Sequence, residues 1–143
     1  MVYRQKLTLR NHERAGSRRL RLPAQASHGK GRVPDGGYVN VDGDTPNLAG
    51  IREKFLREHT HTEDEVRVFV EGQGFFWFHK EEQDEEVFAL LCEQGDLISV
   101  PANTKHWFDL GKSPKVRAIR LFTDQAGWVP HYTNSGIDQR YRW

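Results

Sequence analysis

The stretch Glu58-His59-Thr60-His61-Thr62-Glu63-Asp64-Glu65 sets two imidazoles one residue apart and a carboxylate four positions on. Nitrogen and anionic oxygen donors in that mixture are what divalent transition metals take. In an extended chain side chains alternate, so His59, His61, Glu65, Arg67 and Phe69 emerge on one face. Glu63 shares that parity and Asp64 is adjacent, so spacing alone leaves the carboxylate to be chosen among the three. A second stretch, Gly95-Asp96-Leu97-Ile98-Ser99-Val100-Pro101-Ala102-Asn103-Thr104-Lys105-His106, reads as a short buried strand, a proline-fixed turn and a new strand opening on His106. An isolated His-x-His pair could be two ordinary polar residues of a strand. Joined by Glu65, Gly72 and His106, it predicts a metal centre.

Side chains this far apart meet only if strands return. Glu71-Gly72-Gln73-Gly74 is expected to be a glycine-rich hairpin turn between strands at 66–70 and 75–79. A charged tip over 80–86 leads to a strand at 87–92, and the returning strands would bring His106 beside His59 and His61. Upstream, Tyr38-Val39-Asn40-Val41 alternates like a strand and Asp42-Gly43-Asp44 is a turn. Leu48, Ile51 and Phe55 stand at helical spacing, with Asn47 as a weak cap. Residues 116–122 alternate again, and an irregular tail begins at Gly127.

These residues resemble the two motifs of the cupin barrel. His-x-His-x3-Glu-x6-Gly is matched by His59, His61, Glu65 and Gly72; Gly-x5-Pro-x4-His is matched by Gly95, Pro101 and His106. Asn103 replaces the second motif's usual glycine, and Leu110 stands where that motif often has asparagine. The wording from Glu58 to Gly72 and from Cys92 to Asp109 is similar to the acireductone dioxygenase family of methionine salvage, over about Val41 to Trp128. The resemblance implies an all-β cupin fold (a double-stranded β-helix, or jelly-roll barrel) with short helical additions. It implies metal ligands His59, His61, Glu65 and His106, with Glu63 and Asp64 left to solvent or a supporting shell. Three imidazoles and one carboxylate suit Fe(II), Ni(II), Mn(II) or Co(II), and an octahedral ion would keep two positions for a chelating enediol. In the family one Fe(II) or Ni(II) per monomer acts on acireductone and O2. The iron form gives formate and 4-methylthio-2-oxobutanoate; the nickel form gives formate, CO and 3-methylthiopropanoate.

The resemblance gives Arg67 to the substrate dianion, against the plainer reading of an exposed strand charge. Phe69 and Phe108 are core residues that could also wall the pocket, Trp128 an aromatic near it or a plain interior hydrophobe, and Glu58 a supporting residue beside the first ligand. His12, His28, His79 and His131 are expected to be non-ligands. Another metallocupin enzyme and a non-catalytic metal-binding cupin are the competing readings.

With 143 residues the chain is expected to fold as one domain. Net charge +1 argues against binding nucleic acid or membrane through the whole domain. That total hides a split: residues 1–37 hold nine Lys/Arg against Glu13 and Asp35, hence +7, leaving −6 for residues 38–143. The basic leader, 1–37, is poor in large aliphatics and is expected to be disordered or atypical and not to match the family; a nucleic-acid arm and a targeting peptide are its other readings. The cupin domain is then 38–143. Cys92, the only cysteine, ends an apolar strand and is expected to be a buried small hydrophobe. With no intrachain disulfide possible and no apolar run of membrane-spanning length, a cytoplasmic monomer is expected, its partners the small-molecule substrate and O2.

Overall fold

A computed structural model describes residues 2–6, 37–81, 86–122 and 124–142. Its strands are β1 (Tyr3–Lys6), β2 (Tyr38–Asp42), β3 (His59–Thr60), β4 (Glu65–Lys80), β5 (Glu86–Glu93), β6 (Asp96–Val100), β7 (His106–Asp109), β8 (Lys115–Leu121) and β9 (His131–Tyr132). One α-helix, α1 (Leu48–Leu56), and two 3-10 turns, Gln125–Trp128 and Ile137–Tyr141, complete the described elements. No helix among the described residues is long and apolar enough to cross a membrane.

All strand pairs are antiparallel, and the architecture turns on β4. Its first half pairs with β6 and β8, with β1 outside β6 and β2 outside β8. Its second half pairs with β5 and β7, and β3 and β9 continue outward from β7. Two five-stranded sheets therefore share one long strand and face each other across a common core. This is the all-β cupin architecture that the resemblance implies.

The expected hairpin at Glu71–Gly74 is corrected: those residues lie inside β4, which runs unbroken for 16 residues. What the glycines serve is a bulge, where the register against β8 shifts between Phe69 and Glu71. Before it Glu65, Arg67 and Phe69 face inward; after it Gly74, Phe76 and Phe78 do. One extra residue switches the buried parity and bends the strand from one sheet into the other. Gly72 holds φ 72°, and a Cβ there would stand 1.9 Å from the Lys115 carbonyl oxygen. Both conditions exclude other residues.

The core between the sheets comprises Val39 and Val41 of β2, Phe69, Phe76 and Phe78 of β4, Ile98 and Val100 of β6, Phe108 of β7, and Val116 and Ala118 of β8, with Cys92 and Leu110. Leu48, Ile51 and Phe55 lay the apolar face of α1 on it, as their spacing predicts. Asn47 precedes the helix with no side-chain capping bond. A smaller cluster, Leu56, Trp107 and Ile137, covers the opposite face of β7, where Trp77 stacks on Trp107 at 5.9 Å. Burying each such large side chain is worth roughly 1.5–3 kcal/mol.

The expectation for the basic leader is corrected at its start. Tyr3–Lys6 form an edge strand on β6, with Arg4 2.6 Å from the buried Asp96 carboxylate. Residues 7–36, including His12 and His28, lie outside the described residues.

Candidate metal centre

His59 on β3 and His106 at the head of β7 are direct register partners. His61 follows in the loop after β3, and Glu65 opens β4, so the pair of histidines and the carboxylate do not share one strand as the spacing predicts. The break comes at residues 61–64, and it carries Glu65 round to the same interior. One ring nitrogen from each of His59, His61 and His106 lies within 4.8 Å of the others. Glu65 Oε2 stands 3.4 Å from His61 Nε2 and 3.5 Å from His106 Nε2. All four residues are buried.

Each imidazole is oriented from behind by a backbone carbonyl. His59 Nδ1 donates to Arg57 O at 2.8 Å, His61 Nδ1 to Val129 O at 3.3 Å and His106 Nδ1 to Thr104 O at 2.7 Å. A carbonyl only accepts, so the hydrogen belongs on Nδ1, and Nε2 of a neutral ring offers a lone pair. Burial, with neighbouring His106, pushes His59 down to about 3; burial, against the pull of Glu65, pushes His61 down to about 4. Both are neutral at neutral pH. Burial alone would raise the Glu65 carboxyl, but the Arg67 guanidinium, then His106 and Arg120, hold it well below the usual carboxylate range. His61 Nε2, His106 Nε2 and Glu65 Oε2 are all buried without a hydrogen-bond partner. Converging buried acceptors of this kind suit a cation between them. The donor set fits a divalent metal with nitrogen and oxygen ligands.

The loop carrying His61 is tied to the turn that delivers His106. Asn103 N–H donates to His61 O at 2.8 Å, and Ala102 N–H donates to Asp64 Oδ1 at 2.7 Å. Asn103 holds φ 61°, the left-handed region that asparagine enters more readily than most side chains. Its replacement of the motif's glycine therefore leaves the turn intact. Leu110, the other departure, is a buried core residue.

Beside the histidines is a cavity of about 150 Å³. Phe55, Phe76, Phe108, Trp128 and Tyr132 give it aromatic walls, and Arg67 and Arg120 give it charge. Arg67 faces inward as its parity predicts; one Nη donates to Glu65 Oε1 at 2.6 Å, while Nε and the other Nη are buried without a partner. Arg120 is its register partner on β8, and burial, then Arg67, lowers its pKa. With His59 and His61 neutral, Glu65, Arg67 and Arg120 leave this interior a net positive charge, which favours an anionic guest.

Of the supporting residues expected from sequence, Phe108 and Trp128 line the cavity. Phe69 is not among its lining residues and packs in the core against Phe76 and Phe108. Asp64 is spent on the Ala102 amide, and Glu58 faces away from the histidines toward His79, Thr133 and Ser135. His131 is exposed on β9. Arg120 was not among the expected site residues, yet its signal is in the sequence: it shares the parity of Val116 and Ala118, both turned inward on β8. Phe55, Phe76 and Tyr132 gave no comparable sign, because an aromatic on an apolar face reads as core.

The sequence model of the ARD/ARD' family matches residues 2–130 of the chain, earlier at its start than Val41. Among curated proteins, the chain is 60% identical over 104 residues to an acireductone dioxygenase of Picosynechococcus, covering 73% of this chain and 58% of that protein. It is 57% identical over 103 residues to an acireductone dioxygenase of Granulibacter bethesdensis, covering 72% of this chain and 56% of that protein. It thus spans under two thirds of the length of either relative. Among solved structures it resembles acireductone dioxygenase from Bacillus anthracis with cadmium ion in its active center, at a TM-score of 0.61 and 43% identity, covering 66% of this chain and 54% of that one.

Proposed function

The chain belongs to the ARD/ARD' family, and from that premise we propose that it is a metal-dependent dioxygenase that cleaves acireductone with O2 in methionine salvage. His59, His61, Glu65 and His106 hold one Fe(II) or Ni(II) per monomer in this reading. The observation that carries it is the set of buried, partnerless acceptor atoms on His61, Glu65 and His106, set beside the buried Arg67 and half-buried Arg120 guanidiniums. Such a pairing of metal-ready donors with surplus positive charge suits a chelating dianion. Bound metal would supply Lewis acidity towards the enediol oxygens and a route for electrons to O2.

This chain's own residues do the rest. Arg67 fixes Glu65 with one Nη and offers its remaining N–H groups to an anionic oxygen. Arg120 adds a second cation from the neighbouring strand. The aromatic walls keep water from the reacting oxygens, which strengthens both charges. The iron form would give formate and 4-methylthio-2-oxobutanoate; the nickel form would give formate, CO and 3-methylthiopropanoate. The lone Cys92 supports a cytoplasmic setting, and action as a monomer belongs to the same reading.

The test is metal analysis of the purified protein, followed by oxygen uptake and product identification with synthetic acireductone. Stoichiometric metal and formate release are expected. Metal without oxygen uptake would leave a non-catalytic cupin, and no bound metal would overturn the reading.

A further inference from the structure

Glu58 is buried beside the first histidine of the centre, and the mechanism makes no use of it. Its opposite parity turns it to the far face of β3. There Oε2 accepts from His79 Nδ1 at 2.7 Å, and Oε1 accepts from Ser135 Oγ at 2.8 Å and from the Thr133 hydroxyl. The Glu58 carbonyl also accepts Thr133 N–H at 3.1 Å. Three of these four bonds come from residues 133–135.

The segment just before them is part of the centre. Val129 O orients His61, and Tyr132 pairs with His59 on the edge of the sheet with its ring 6.0 Å from the His59 ring. Apolar burial does little to hold this segment: Val129 is half exposed, and none of residues 129–136 joins either hydrophobic cluster.

We propose that Glu58 is a positioning residue for the metal centre. It fastens residues 133–135 to the far face of β3, and so keeps the Val129 carbonyl on His61 and Tyr132 on His59. The proposal rests on the reading of His59 and His61 as metal ligands. Partners that orient ligating histidines from behind typically control affinity by about 10–100-fold.

The test uses the full chain stripped of metal and titrated with Ni(II) and, separately, Co(II). Glu58→Gln keeps the shape but cannot accept from both sides, and Thr133→Val with Ser135→Ala removes the two hydroxyl donors while leaving Glu58 and His79 in place. Either should raise the Ni(II) dissociation constant by about 10–100-fold, alter the Co(II) absorption bands, and speed amide exchange over residues 129–135. Thr133→Ser with Ser135→Thr keeps both hydroxyls and should restore the parent affinity and spectrum. If Glu58→Gln does not fold, the hydroxyl variants decide. A folded Thr133→Val, Ser135→Ala protein with parent affinity and an unchanged Co(II) spectrum would overturn the proposal alone. A parent that binds neither ion would overturn it together with the metal reading.

Discussion

Two demands meet on the Arg67 guanidinium: it anchors Glu65 at 2.6 Å, and it lies 4.7 Å over both the Phe76 and Phe108 rings with N–H groups to spare. A lysine could place one charge near Glu65 but could not also hold the flat, stacked fork. Arg67→Lys should therefore keep metal binding close to normal while lowering turnover about 100-fold, as loss of a preorganised donor does. Turnover and metal content measured on one preparation separate the two effects, and unchanged turnover would remove Arg67 from the reaction. His106 is different in kind, since its partnerless Nε2 faces Glu65 across 3.5 Å. His106→Ala should weaken Ni(II) binding by more than the about 100-fold that a lost supporting residue costs. Retention of full metal by that variant would break the centre as drawn. At this scale the convergence of His59, His61 and His106 with Glu65 was legible, because the side-chain types and their spacing within two short stretches carry the pattern. Arg120 was legible only through parity, which has meaning once the face of Val116 and Ala118 is known to be the inner one.

Among the elements, β4 separates what a pattern can convey from what it cannot. Glycines at positions 72 and 74 between two alternating runs are compatible with a hairpin or with a bulge, because both need left-handed or crowded backbone. Only the pairing of β4 with β8 on one half and β5 on the other distinguishes them. That pairing depends on residues far away in sequence. By contrast α1, β2 and β8 carry their own periodicity against a single buried face, and all three were legible. The bulge makes a sharp demand on side-chain size. A Cβ at Gly72 would meet the Lys115 carbonyl at 1.9 Å, and one at Gly74 would meet the Phe108 ring at 2.2 Å. Gly72→Ala should cost about 3 kcal/mol, combining left-handed strain with a backbone clash. Gly43, whose Cβ would meet nothing within 4 Å, is the internal control. Gly43→Ala should change stability by less than about 1 kcal/mol. Thermal denaturation of the two variants checks the contrast, and equal effects would mean the bulge tolerates a side chain.

For the whole molecule, the centre closes one end of an apolar core, so folding and proton binding are coupled through it. The barrel was legible from two motifs whose histidines must meet. The tail was not, because residues 129–136 are held by backbone and Glu58 hydrogen bonds and by the Arg57 guanidinium on Tyr132 and Asn134, none of which leaves a hydrophobic pattern. The consequence for acid stability has a definite sign. His59 and His61 have folded pKa values of about 3 and about 4, against 6.5 for an ordinary imidazole, because burial opposes their charged forms. Below 6.5 the unfolded chain therefore binds protons that the folded chain does not, and stability falls with pH until the folded values are reached. Glu65, also depressed in the fold, extends the loss below the usual carboxylate pKa of 4.5. Metal-free protein should thus melt at a lower temperature at about pH 5 than at about pH 7. His59→Gln and His61→Gln should each flatten that slope, since each removes one group that charges on unfolding. Added Ni(II) should raise the melting temperature by mass action, and less so in acid, where protons compete for the same nitrogens. Chelated protein whose melting temperature is level between those two pH values, or whose slope survives both substitutions, would show that these imidazoles are not held neutral by the fold.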